Sequence, residues 1–153
     1  ITEGKMTLSL VKSGTLPNPT TDQEMHYFTY ALLPHVDFNK DEIAKEAYCL
    51  NVPTYSVKAT APAAKLDFDS FVATDVDNVM IETVKKAEDG NGIIIRMYEF
   101  DNKRTNATIT IGAGYTKVTE CDLMENNIAP VAVNDSEFRI TIKPYEIKTY
   151  RIQ

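Results

Sequence analysis

Val79-Met-Ile-Glu-Thr-Val-Lys-Lys-Ala-Glu88, Asp89-Gly90-Asn91-Gly92 and Ile93-Ile-Ile-Arg-Met-Tyr-Glu-Phe100 follow one another without a break. Two runs rich in β-branched and apolar residues flank a Gly/Asn turn, the local signature of a β-hairpin. The second run sends Ile93, Ile95 and Met97 to one face and Arg96 and Tyr98 to the other, because successive side chains of a strand alternate.

Downstream, turn signals recur at short intervals. Asp101-Asn-Lys-Arg104 leads into a strand over 105–111, and Gly112-Ala-Gly114 leads into one over 115–123. Glu125-Asn-Asn127 and Asn134-Asp135 flank a short strand near Val131. Phe138, Ile140 and Ile142 share a face over 137–142, and residues 145–152 form the last run. Upstream, 55–59 and 68–73 read as weaker strands. About eight strands at this spacing predict an antiparallel β-sandwich. Its candidate core residues are Ile93, Ile95, Phe138, Ile140 and Ile147.

One helix is predicted, over 38–50. Asn39 can cap it, with Glu42 placed to complete a capping box and Phe38 and Ile43 a hydrophobic staple. Ile43, Ala44, Ala47 and Tyr48 recur at helical spacing and would pack inward. Before the helix, residues 6–13 and 26–33 alternate apolar and polar side chains as strands do, separated by a loop containing Pro17 and Pro19. Two strands alone are marginal in water, so this part reads as the end of a larger sheet. The organisation is therefore all-β. Residues 1–37 close a preceding large β domain, 38–52 form a linker helix, and 53–153 form the sandwich.

The chain has 153 residues, 43% of them hydrophobic, and a net charge of −6. A negative chain does not suit nucleic acid or an anionic membrane. Cys49 and Cys121 are the two cysteines. They are no disulfide framework and no metal cluster, and they read as buried or neutral thiols of a reducing compartment; a cytoplasmic location is expected from the lack of a recognisable signal segment. His26 and His35 bracket an apolar run without ligand-spaced neighbours. Asp67, Asp69, Asp75 and Asp77 lack the glycine and distal Glu of a calcium loop and read as a solvated acidic loop. The two Asn-X-Ser/Thr triplets at Asn106 and Asn134 are too short a pattern to carry weight. No paired carboxylates, nucleophile elbow or metal-ligand set is recognisable. Lys86, Glu88, Arg96 and Glu99 read as structural polar bridges.

Three stretches together resemble the C-terminal region of α-mannosidases of glycoside hydrolase family 38. Leu8-Ser-Leu-Val-Lys-Ser13, Pro17-Asn-Pro19, Asp22 and His26-Tyr-Phe-Thr-Tyr-Ala-Leu-Leu-Pro-His35 are similar to one family segment. That segment usually has Pro at position 14, Asp at 18, Ala at 21 and Gly at 24. Here Gly14, Asn18, Thr21 and Glu24 stand in their place. The hairpin over 85–99 resembles the second stretch, and Lys143-Pro-Tyr-Glu-Ile-Lys-Thr-Tyr150 the third.

The resemblance implies a retaining exo-α-mannosidase whose N-terminal catalytic domain holds the nucleophile, the acid/base and a divalent metal, usually zinc. Residues 1–35 would be the last strands of its central β super-sandwich, and 53–153 its terminal sandwich. None of the family's catalytic or metal-ligand motifs falls here, so no cofactor is expected in this chain. Its expected partners are the catalytic domain of the same polypeptide and, through it, an α-mannoside. By analogy alone, Asp22 and His26 are the substrate-proximal candidates. The rival readings are a carbohydrate-binding module using exposed Tyr residues and a structural or adhesive sandwich. Open strand edges in the first part would also give weak self-association.

Overall fold

The computed structural model describes residues 4–56, 58, 70–112 and 114–153. The chain divides into two compact units, Ile1–Asp37 and Phe38–Gln153.

In the first unit, no strand forms among the described residues, although 6–13 and 26–33 carry strand alternation. Alternation fixes which side chains share a face, but it supplies no hydrogen-bonding neighbour. The two runs line a common apolar groove of about 580 Å³, with Met6, Leu8, Leu10, Tyr30 and Leu32 on its walls. Nearly every described side chain of this unit is exposed. The loop between the runs is ordered by Asn18. Its Oδ1 accepts from the Thr20 N–H at 3.1 Å, and its carbonyl from the Thr21 hydroxyl at 2.9 Å.

The second unit opens with α1 (Lys40–Asn51). The Asn39 side chain accepts from the N–H groups of Asp41 and Glu42, as the sequence predicts. The inward packing does not occur. The helix buries no residue; Ile43, Ala44 and Tyr48 are half-buried and Ala47 is exposed. Polar tethers hold it instead: Lys40 to Asp101, Lys45 to Asp77 and the Tyr48 hydroxyl to the Glu82 carbonyl.

Among the described residues eight strands follow. They are β1 (Val72–Thr74), β2 (Val79–Lys86), β3 (Ile93–Glu99), β4 (Thr105–Ile111), β5 (Val118–Cys121), β6 (Asn127–Val131), β7 (Glu137–Ile142) and β8 (Ile147–Ile152). They make two antiparallel sheets, one in the order β1-β4-β7 and one in the order β2-β3-β8-β5-β6. The expected strand over 55–59 is absent at Tyr55, Ser56 and Lys58, and its other positions lie outside the described residues. So do residues 68 and 69 of the run that becomes β1.

The core lies between the sheets. Ile95, Met97, Tyr150, Ile152 and Val118 of the larger sheet meet Ile109, Phe138, Ile140 and Ile142 of the smaller one. The Phe138 and Tyr150 rings are 5.1 Å apart between centroids. Ile93 is partly buried against this cluster. Ile147, expected inside, is 54% exposed. Ile147 and Ile152 lie an odd number of positions apart in one strand, so only one can face the core. β8 turns Ile152, Tyr150 and Lys148 inward and Arg151, Thr149 and Ile147 outward.

Two glycines are dictated by geometry. Gly92 has φ +96°, and a Cβ there would lie 2.5 Å from the Ile152 carbonyl oxygen. At Gly112 a Cβ would come within 2.9 Å of the Phe71 ring. The β2–β3 turn and the entry to the β4–β5 connection thus each require the residue they have.

Candidate functional site

The strongest polar constellation lies on the outer face of the five-stranded sheet. This face would ordinarily meet solvent, yet Ile94, Thr149, Arg151, Thr119 and Cys121 are all buried on it. The cover is the β5–β6 connection, residues 122–126, which folds back over β8 and β3. Asp122 shapes it by accepting from the N–H groups of Met124 and Asn126, each at 2.9 Å.

Arg151, 5% exposed, is the centre. Its Nη1 donates to both carboxylate oxygens of Asp89, at 2.7 and 2.8 Å, and to the Asn91 carbonyl at 2.7 Å. Its Nη2 donates to the Glu125 carbonyl at 3.0 Å. One side chain thereby ties the β2–β3 turn and the covering loop to β8. The Glu125 carboxylate accepts from the Glu88 N–H at 2.8 Å and pairs with Lys85 at 2.9 Å. Lys85 also pairs with the Glu88 carboxylate. Arg96 completes the face by donating to the Thr149 hydroxyl at 3.2 Å and the Leu123 carbonyl at 3.1 Å.

A second constellation closes the far end of β3. Glu99 is 1% exposed and accepts from Asn78 Nδ2 at 2.9 Å, the Asp101 N–H at 2.7 Å and the Tyr145 N–H at 3.0 Å. These bonds hold Tyr145 at φ +55°, a left-handed conformation unusual for a side chain of its size. Asp101 beside it pairs with Lys103 and Lys40.

The predicted polar residues thus separate. Glu88 and Arg96 enter the Arg151 network, and Glu99 enters the far one. Lys86 is exposed, and the ion pairs at its end of β2 come from Lys85. The reason is a bulge. Ile81 faces Met97 but Thr83 faces Arg96, so the parity of β2 shifts by one between them. Lys85 then stands opposite Ile94 on the polar face, and Lys86 stands opposite Ile93.

In the first unit, Asp22 and His26 come together through backbone. His26 Nε2 donates to the Asp22 carbonyl at 2.9 Å, Asp22 has φ +57°, and the His26 ring stacks on Phe28. His35 Nδ1 donates to the Asp37 carbonyl. Asp75, in the acidic stretch, accepts from the Thr108 N–H at 2.7 Å, whereas Asp67 and Asp69 lie outside the described residues. Cys121 is buried and Cys49 exposed.

The electrostatics describe anchors. The Arg151 guanidinium holds the Asp89 carboxyl below the ordinary range. The Glu88 N–H and Lys85 do the same for Glu125, and Lys103 and Lys40 for Asp101. Burial pushes the Glu99 carboxyl up, but the bonds from Tyr145, Asn78 and Asp101 outweigh it and the net shift is downward. A glycosidic general acid needs the opposite, a carboxyl held protonated near neutrality. Among the described residues no group of three His, Cys, Asp or Glu side chains could hold a metal ion. The divalent metal that the resemblance places in the catalytic domain finds no fitting donor set among them.

Residues 78–150 match the model of the glycosyl hydrolases family 38 C-terminal beta sandwich domain. The chain carries a family 38 C-terminal β-sandwich domain. The matched stretch runs from Asn78, which donates to Glu99, to Tyr150 in the core. Similar curated proteins extend the likeness beyond that domain. Alpha-mannosidase G of Dictyostelium discoideum is 33% identical over 160 residues, covering 97% of this chain. Human Alpha-mannosidase 2C1 is 28% identical over 148 residues, covering 93% of the chain. The Saccharomyces cerevisiae Alpha-mannosidase is 23% identical over 171 residues, covering 96%. The chain spans 14%, 14% and 16% of these three relatives. The family 38 domain is thus accompanied in this chain by the preceding helix and first unit, over which the likeness continues.

Arg151 was not legible as a central residue, since its sequence neighbours suggest only a strand. The one signal was its parity: it alternates with Tyr150 and Ile152, so it had to leave the core on the side where the hairpin turn arrives.

Proposed function

We propose that this chain is a non-catalytic C-terminal part of a retaining α-mannosidase, and that it braces the catalytic domain of the same polypeptide. The parent would hydrolyse terminal α-mannosyl linkages, with its nucleophile, acid/base and metal supplied from outside these residues. The observation that carries the reading is likeness to α-mannosidases over nearly the whole chain, from proteins about seven times as long. Two structural features support it. The first unit exposes Met6, Leu8, Leu10, Tyr30 and Leu32 together, a surface suited to a covering sheet. The buried carboxylates of the sandwich, Glu99, Asp101 and Glu125, are committed to hydrogen-bond and cation partners, which suits a rigid brace.

The test is hydrolysis of an aryl α-mannoside by the complete polypeptide, with and without these residues. Loss of soluble, active enzyme on truncation supports the brace. Retained activity on small mannosides with weakened action on polymers would replace it with a sugar-binding role. A complete polypeptide without mannosidase activity would overturn the reading. Within the same enzyme, the Asp22–His26 loop is the substrate-proximal candidate. Asp22→Ala should then lower kcat/KM without changing the thermal midpoint, and unchanged kinetics would remove the loop from the cleft.

A further inference from the structure

Among the described residues the five-stranded sheet ends at β2, with no strand beside its outer edge. Such an edge offers backbone donors and acceptors to any strand that reaches it. Here it carries two guards. The bulge between Ile81 and Thr83 leaves Glu82 without a partner position on β3, and its carbonyl accepts from the Tyr48 hydroxyl of α1 at 3.4 Å. The same helix reaches the flanking turn through Lys45 and Asp77, at 2.5 Å, and the sandwich end through Lys40 and Asp101, at 2.6 Å.

This cover is weakly attached. α1 buries no residue, and the Lys45–Asp77 pair is exposed on both sides, 56% and 70%. Exposed pairs of this kind contribute little to holding two elements together.

We propose that the β2 edge is a cryptic strand-pairing surface for a second copy of this chain, closed by α1 and open when the helix lifts. The strand's own charge pattern selects the occupant. Antiparallel pairing of β2 with β2 about a two-fold axis at Val84 sets Glu82 of each copy opposite Lys86 of the other. It also sets Val84 against Val84, a side chain already 49% exposed. Lys86, which lies outside the Lys85 ion pairs, gains an opposite charge.

The experiment uses the full chain with Cys49→Ser and Val84→Cys, which places one thiol on the axis. Disulfide-linked dimer is measured under mild oxidation. Adding Lys40→Ala, Lys45→Ala and Tyr48→Phe should raise its rate at least about tenfold, since the helix loses its part-buried tether to Asp101 together with the two weaker ones. Glu82→Lys in that background should abolish the gain by setting like charges opposite. Lys12→Cys in place of Val84→Cys reports contact through the first unit and should not respond to the helix substitutions. If the triple variant does not fold, Tyr48→Phe alone, which removes one hydroxyl, should give a smaller increase in the same direction. A Val84→Cys cross-linking rate indifferent to the tethers would overturn the proposal, as would a gain that survives Glu82→Lys.

Discussion

The core face of the five-stranded sheet carries Ile95, Met97, Tyr150 and Ile152; the outer face of the same strands carries Ile94, Thr149 and Arg151. Both are shut from solvent. The first is closed by a second sheet that presents complementary apolar surface. The second is closed by a loop that presents mostly carbonyls and carboxylates. Apolar closure is non-directional and scales with area. Polar closure depends on each donor finding its acceptor, and an unmet partner is left buried and costly. The two faces should therefore fail differently.

The largest expected effect is on the apolar face. Ile95→Ala removes fully buried methyl groups and should cost about 2–5 kcal/mol in urea unfolding, with little dependence on pH. On the polar face, Arg151→Ala strands the Glu125 and Asn91 carbonyls and should cost about 2–3 kcal/mol, discounted because Asp89 is half exposed. Arg151→Lys should recover little of this, because an ammonium cannot fork to Asp89 and Glu125 together. Equal recovery by Lys would reduce the network to simple charge.

Glu99→Gln sharpens the contrast. An amide has one acceptor oxygen where the carboxylate uses two, so one of the three donors is lost, at about 1–3 kcal/mol. It also carries the pH signature. The Glu99, Asp89, Asp101 and Glu125 carboxyls are all lowered in the folded protein. Groups lowered on folding stabilise above their unfolded pKa, about 4, and lose that contribution as pH falls through their folded values. Unfolding midpoints should hold between about pH 7 and 5 and then drop, and the drop should be shallower in Glu99→Gln. The smallest effect has the opposite sign. Tyr145→Gly relieves a left-handed turn position and should stabilise by up to about 1 kcal/mol, read as a small rise in thermal midpoint.

Much of the apolar face was legible in sequence. Period-2 alternation named Ile95, Phe138 and Ile140, and the Gly/Asn turn fixed the hairpin. The Asn39 cap was legible because capping is local. What escaped was everything set by pairing. One bulged residue exchanged Lys85 for Lys86. The strand 147–152 has an isoleucine at each end on opposite faces, so periodicity alone could not choose between Ile147 and Ile152. The loop that buries Arg151 begins inside the strand expected over 115–123, which ends at Cys121, and its Glu125 and Asn126 read only as a turn. Residues 6–13 and 26–33 carry the pattern of strands, but a ladder needs neighbours that a pattern does not contain.

Of the described strands β8 is the latest in sequence and yet the middle one of its sheet, with β3 on one side and β5 on the other. On the ribosome, β2 and β3 emerge long before the strand that joins them to β5 and β6. The hairpin must wait with one side open until residues 147–152 have been synthesised and have left the exit tunnel. A chain interrupted before residue 147 would hold most of its strands and no centre to its larger sheet, a species suited to capture by chaperones or to degradation. The six-residue β8 thus sets the moment at which the larger sheet can close.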